Sequence, residues 1–165
     1  MTDHKETTEP VGSIEISVVI PAFNEEKYLS SCLQSLNKQD FDLPYEVIVI
    51  DNNSSDGTAA VATELGATVV SEPHRGITWA RQKGLEVARG KIIACVDADT
   101  FVRADWLSQI YNGLLHDDKV VGVSGRILYT RGTTWRGKVP FSEPRSVNRM
   151  RRKFRAERHR ITGAI

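Results

Sequence analysis

The chain has 165 residues, 40% of them hydrophobic, with 22 Lys/Arg against 21 Asp/Glu and a formal net charge of +1. That is enough apolar material for one domain to bury a core without disulfide staples. No apolar run approaches the ~18–20 residues of a membrane span, and the first ten residues are too polar and acidic for a signal peptide. A cytoplasmic protein, at most peripheral to a membrane, is the expectation. The near-neutral total hides an asymmetry, because the last 25 residues hold 8 Arg/Lys against 2 Glu. Cys32 and Cys95 lie in apolar settings without metal-ligand spacing, as buried free thiols do in a reducing compartment.

Residues 1–13 have little apolar content and read as a mobile tail, with the folded domain occupying 14–165. Residues 14–20 are a β-branched strand that Pro21 is expected to end. The turn from Pro21 to Glu26 then opens a helix, with Asn24 placed to cap it and Tyr28, Leu29, Cys32, Leu33 and Leu36 on its apolar face. A second strand over 45–50 runs into the polar turn Asp51-Asn52-Asn53-Ser54-Ser55-Asp56-Gly57-Thr58. A short helix over 58–65 stops at Gly66, and 67–71 reads as a third strand. The next helix, 77–89, carries Ala80 and Gly84, small enough to lie close on a sheet, and stops at Gly90.

The continuous apolar run before Asp97 reads as a strand buried on both faces that delivers Asp97 and Asp99 at its C-terminal end. In a pleated strand continued through Ala98 the two carboxylates would point the same way, toward one hard divalent cation such as Mg²⁺ or Mn²⁺. Asp105 then starts a helix with Leu107, Ile110, Tyr111, Leu114 and Leu115 on one face, followed by a strand over 119–124. Buried strands alternating with helices predict an α/β fold: a Rossmann-like, mostly parallel sheet with helices on both faces. Three strand ends, after Ile20, Ile50 and Val96, carry polar turns. In one parallel sheet these converge on a single edge and build one site.

Neither the glycine fingerprint of a dinucleotide-binding turn nor a Walker phosphate loop is present. A phosphatase working through Asp-x-Asp would carry that motif on its first strand rather than its fourth. The four histidines are scattered in polar segments without a nucleophilic triad spacing.

Four motifs occur in order: Pro21-Ala22-Phe23-Asn24-Glu25-Glu26; Asp51-Asn52 through Asp56-Gly57-Thr58; Gly76 with Ala80-Arg81-Gln82 and Gly84; and Asp97-Ala98-Asp99. Together they closely resemble the nucleotide-sugar half of the family 2 glycosyltransferases, which have the GT-A fold. The resemblance covers roughly residues 14–125. It implies metal-dependent, inverting transfer of a sugar from a UDP- or GDP-linked donor to an acceptor hydroxyl on a glycan or lipid-linked substrate, as in polysaccharide or glycolipid biosynthesis. Residue by residue, it implies nucleotide contacts for Pro21, Ala22, Asn24, Glu25, Asp51, Arg81 and Asp97, and a metal on the diphosphate for Asp99 with Asp97. Where the family often has a second Asp, this chain has Asn52, which bears on base identity because an amide donates as well as accepts.

The resemblance puts the general base beyond a strand that typically begins like Ile161-Thr162-Gly163-Ala164, so beyond Ile165. The domain is thus expected to be C-terminally incomplete: a nucleotide-binding half with the start of an acceptor half. The expectation is a piece of a longer enzyme that retains nucleotide and metal binding without robust transfer. The alternative is a non-catalytic nucleotide-sugar binding module.

Arg145, Arg149, Arg151, Arg152, Lys153, Arg155, Arg158 and Arg160, with Val147, Met150 and Phe154 at spacings of three and four, outline a basic amphipathic helix. Such a helix either packs its apolar stripe on the core or docks on an anionic membrane surface. Nucleic acid is not expected, since no aromatic interleaving or binding fold accompanies the charge.

Overall fold

The computed structural model describes residues 13–115, 120–124, 148–151 and 160–163. Five parallel strands form the main sheet in the order β3-β2-β1-β4-β7, where β1 is Ile16–Ala22, β2 Tyr45–Asp51, β3 Thr68–Ser71, β4 Ile92–Cys95 and β7 Arg160–Gly163. A separate antiparallel pair joins β5, Val120–Ser124, to β6, Asn148–Arg151. The alternation of side chains along each strand assigns the helices to faces. On one face Ile16, Val18, Ile20 and Ala22 form a continuous core with Leu29, Leu33 and Leu36 of α1 (Glu26–Leu36), Ala62 of α2 (Thr58–Glu64), and Leu107, Ile110 and Leu114 of α4 (Trp106–Leu115). On the other, Val19, Ile48, Ile50 and Ile93 pack against Ala80 of α3 (Ile77–Val87). Helices therefore cover both faces, as the alternation of elements predicts.

The close approach of α3 depends on Gly84, where an added Cβ would stand 2.2 Å from Val19 Cγ1. A methyl there forces the helix off the sheet.

Several local expectations are corrected. Pro21 does not end the first strand but sits inside it, opposite Ile50, although β1 is a central strand. Ala22 O accepts from Asn52 N–H on the β2 side and Val19 O from Val96 N–H on the β4 side. Alternation then turns the imide nitrogen of Pro21 toward β4, whose pairing with β1 stops at Val19, so no ladder bond is lost. The fourth strand ends at Cys95, and Asp97 to Thr100 form a tight turn closed by Thr100 N–H on Asp97 O at 3.0 Å. The two aspartates are therefore presented by a turn, not by a pleated strand. Tyr28 and Leu115 are exposed rather than part of the apolar faces of α1 and α4.

The strand at 120–124 pairs antiparallel outside the main sheet. The basic segment is not one amphipathic helix, because residues 148–151 lie in a ladder with β5 and Arg160–Gly163 is the edge strand β7. Pairing with a partner strand overrides a local helical pattern. The amphipathic helix expected to dock on an anionic surface does not form across Asn148–Arg151; residues 145–147 and 152–159 of that segment lie outside the described residues, as do residues 1–12 of the tail. Among the described residues no helix is long and apolar enough to cross a membrane.

Candidate active site

Strand order reverses at β1: the chain steps outward through β2 and β3, then returns to place β4 on the other side of β1. At such a switch point the loops after neighbouring strands diverge to opposite faces and leave a crevice beyond the carboxyl ends. Here it is an open cleft of about 390 Å³ lined by Pro21, Ala22, Phe23 and Glu25 after β1, Asn52 after β2, Ile77, Ala80 and Arg81 of α3, and Asp97, Ala98 and Asp99 after β4.

Six of the eight residues singled out in the sequence thus line one cleft: Pro21, Ala22, Glu25, Arg81, Asp97 and Asp99. Asn24 and Asp51 are not among its lining residues. Asn24, in the left-handed region at φ 55°, turns its Oδ1 to accept from Ser55 N–H at 2.8 Å, and Asp51 Oδ1 accepts from Ser54 N–H at 3.1 Å. Asn52, Phe23, Ile77, Ala80 and Ala98 complete the lining, and the last four were not foreseen. Ile77 could have been found from its helical spacing of four residues before Arg81, and Ala80 from its spacing of three after Ile77.

The loop after β1 is held from outside. Asn24 does not cap α1, whose cap residue is Glu25 and makes no side-chain cap bond. The turn after β2 supplies the acceptors instead. Asn24 N–H donates to Ser54 Oγ at 3.1 Å, Glu25 N–H to Thr58 Oγ1 at 2.9 Å and Glu26 N–H to Asp56 Oδ2 at 3.2 Å. Glu26 returns the bond, its carboxylate accepting from Gly57 N–H at 3.0 Å. Two helix starts with orphan N–H groups thereby satisfy each other.

The electrostatics are one-sided. Arg81 Nη2 lies 3.3 Å from Asp97 Oδ1, and Asp99 is exposed at the rim. Burial, followed by the charges of Asp99, Asp56 and Asp97, raises the pKa of Glu25. Beneath the turn, Cys32 Sγ is 3.8 Å from Asp97 O, and burial, followed by the charges of Asp99 and Asp97, pushes its thiol up to about 12. It is a neutral packing residue. Cys95 faces the other side of the sheet, so the two cysteines are free.

Excess carboxylate in a concave site favours a cation, and the donors suit a hard one. Among the described residues no cluster of three or more His, Cys, Asp or Glu could hold a metal unaided. Asp97 and Asp99 provide two carboxylates, which fits an ion that takes its remaining ligands from water and from substrate phosphates.

The α/β domain with an acidic cleft at its switch point shares the GT-A fold of its solved glycosyltransferase neighbours. Residues 17–165 match the model of glycosyl transferase family 2, and the chain belongs to that family. Glycosyltransferase AglE of Haloferax volcanii is 32% identical over 101 residues, covering 57% of this chain and 33% of AglE. Among solved structures, glucosyl-3-phosphoglycerate synthase of Mycobacterium tuberculosis, in complex with Mn²⁺, uridine diphosphate and glucosyl-3-phosphoglycerate, is 28% identical with a TM-score of 0.60. That match covers 68% of this chain and 43% of the synthase. The mannosyltransferase PcManGT of Pyrobaculum calidifontis, in complex with GDP-Man and Mn²⁺, has the same identity and TM-score, covering 72% of this chain and 37% of its own. The chain spans less than half the length of each of these three proteins.

Proposed function

We propose that the cleft binds the nucleoside diphosphate of a sugar donor, either UDP- or GDP-linked, and serves transfer of the sugar to an acceptor hydroxyl with inversion at the anomeric carbon. The convergence of Glu25, Arg81, Asp97 and Asp99 at the mouth of β1 and β4 carries this reading. Support comes from family membership and from the two neighbours solved with Mn²⁺ and a nucleotide.

In this reading Asp99, with Asp97, holds Mg²⁺ or Mn²⁺ on the diphosphate. The bound ion supplies Lewis-acid neutralisation of the charge that builds on the departing phosphate oxygen. Arg81 orients Asp97 through their ion pair and adds a positive charge beside the nucleotide. Pro21 to Phe23 offer a rigid strand end and one aromatic face on the nucleoside side. The acceptor hydroxyl must lose its proton to a general base, normally a carboxylate. The family resemblance puts that base beyond Ile165, and we assign the role to no cleft carboxylate.

Calorimetric titration of the chain with UDP and with GDP, each with Mn²⁺ and with chelator, tests the reading. One nucleotide is expected to bind with Mn²⁺ only. Replacing Asp99 with Ala is expected to weaken that binding by on the order of 100-fold, the loss of about 3 kcal/mol of metal-mediated attraction. Nucleotide binding that is indifferent to chelator and to Asp99→Ala would falsify the metal assignment. Turnover assays with UDP- and GDP-sugars separate an active transferase from a binding module.

A further inference from the structure

Asn52 occupies the position where a carboxylate is common in the family, and its surroundings explain the difference. The side chain is 5% exposed and each of its hydrogen-bonding groups is used. Nδ2 donates to Glu72 O at 3.1 Å and to His74 O at 2.6 Å, while Oδ1 accepts from Gly76 N–H at 2.7 Å. Two carbonyl oxygens and one N–H converge on it, and only a primary amide of this length offers two donors and an acceptor in that arrangement. A carboxylate would turn an oxygen toward the two carbonyls and leave them unpaired. The amide therefore has no donor left with which to read a base.

The three partners all belong to residues 72–76, the link between β3 and α3. Gly76, the cap residue of α3, has φ 130°, a conformation strained for any other residue. Its carbonyl accepts from Trp79 and Ala80 N–H, so the place where Gly76 is held sets the first turn of the helix. That turn carries Ile77, Ala80 and Arg81 into the cleft, and Arg81 reaches Asp97. Asn52 also holds the other wall, since its N–H donates to Ala22 O at 2.8 Å.

We propose that Asn52 is a positioning residue of the cleft: it acts on the ligand through the 72–76 link and the start of α3, placing Arg81, and the amide is obligatory for this. The proposal rests on the nucleotide-binding reading for its ligand and on the geometry of the 72–76 link for its mechanism.

A double-mutant cycle tests it with the whole chain, using UDP or GDP, whichever the wild type binds, with Mn²⁺. Asn52→Asp and Arg81→Ala are each expected to weaken binding about tenfold, and the double variant no more than about twofold beyond either, because groups acting as one unit are not additive. Losses that multiply to about 100-fold in the double variant, or wild-type affinity in Asn52→Asp, overturn the proposal. Should Asn52→Asp fail to fold, Gly76→Ala moves the same link from its other end. It enters the same cycle with the same expected non-additivity, and multiplicative losses overturn the proposal here too. If the wild type binds neither nucleotide, the functional reading fails on its own. Amide hydrogen exchange in the ligand-free chain then decides the mechanism. Faster exchange in Asn52→Asp at residues 76–81, with β1 and β2 unchanged, supports positioning, and unchanged exchange at 76–81 overturns it.

Discussion

The two ends of the central strand treat charge in opposite ways. At its N-terminal end, Ser17 is fully buried and bonded on every side. Its hydroxyl donates to Glu46 Oε1 at 2.6 Å and accepts from the N–H groups of Arg89 and Gly90 at 3.1 and 2.7 Å. Glu46 in turn receives Arg89 Nε and Nη2 at 3.0 and 2.6 Å. At the C-terminal end, Glu25, Asp97 and Asp99 line a cleft in which Arg81 is, among the described residues, the one lining cation. At the first end Glu46 is paired with Arg89 and Glu15 with Lys91, whereas of the three carboxylates at the second Asp97 alone has an ion pair among the described residues, with Arg81. The saturated end is a structural clip that closes the α3–β4 turn onto β1 and β2. The unsaturated end is where the proposed cation would bind, and its carboxylates are not committed to the fold.

That contrast can be broken most severely at Gly90. A Cβ there would stand 2.4 Å from Ser17 N, a backbone atom that cannot move aside. Gly90→Ala is expected to cost about 3 kcal/mol and lower the thermal midpoint by on the order of 10 °C. A melt within 2 °C of wild type, roughly the effect of a surface change, would show that the clip is not tight.

Next in size is Glu46→Gln, which removes the charge that Arg89 and Ser17 organise. Stability should fall by about 1–2 kcal/mol, seen in urea unfolding, while nucleotide affinity is unchanged. The pH dependence has a definite sign. Burial raises the pKa of Glu46, but the hydrogen bonds from Arg89 and Ser17 outweigh it, so the folded value lies below the ordinary one. The stabilisation is then complete above the unfolded carboxylate value near ~4.3 and disappears as pH falls through the lower folded value. Wild type and Glu46→Gln are expected to converge in that acid range and to differ fully at neutral pH.

The cleft should give the reverse result. Because the pKa of Glu25 is raised, its ionised form opposes folding at pH values above its own titration and ceases to do so in acid. Glu25→Gln is therefore expected to raise the midpoint of the metal-free chain by about 1 °C at neutral pH, measured by calorimetry. Asp99→Ala sharpens the comparison furthest, since it should weaken metal-dependent binding by on the order of 100-fold yet shift stability by no more than about 0.5 kcal/mol at an exposed position. A large loss of stability in either cleft variant would mean that both ends of β1 serve the fold alike.

Much of this was legible along the chain because it is local. Apolar runs and helical spacing located every element of residues 14–115 within a few positions, since burial of one face is what those patterns encode. Parallel connectivity followed from their alternation, and with it the convergence of Pro21, Glu25 and Asp97 on one edge. Family membership was also readable, because four motifs in order are a property of sequence. What local pattern could not supply was the destination of each polar group. Whether Asn24 caps its own helix, whether Asn52 faces a base or three backbone groups, and whether Arg149 to Arg151 join a helix or a strand all depend on partners many residues away. Hydrogen-bond satisfaction is decided by which chain segments the fold brings within about 3 Å. For Asn52 those segments were the 72–76 link and the end of β1, and only the tertiary structure put them there.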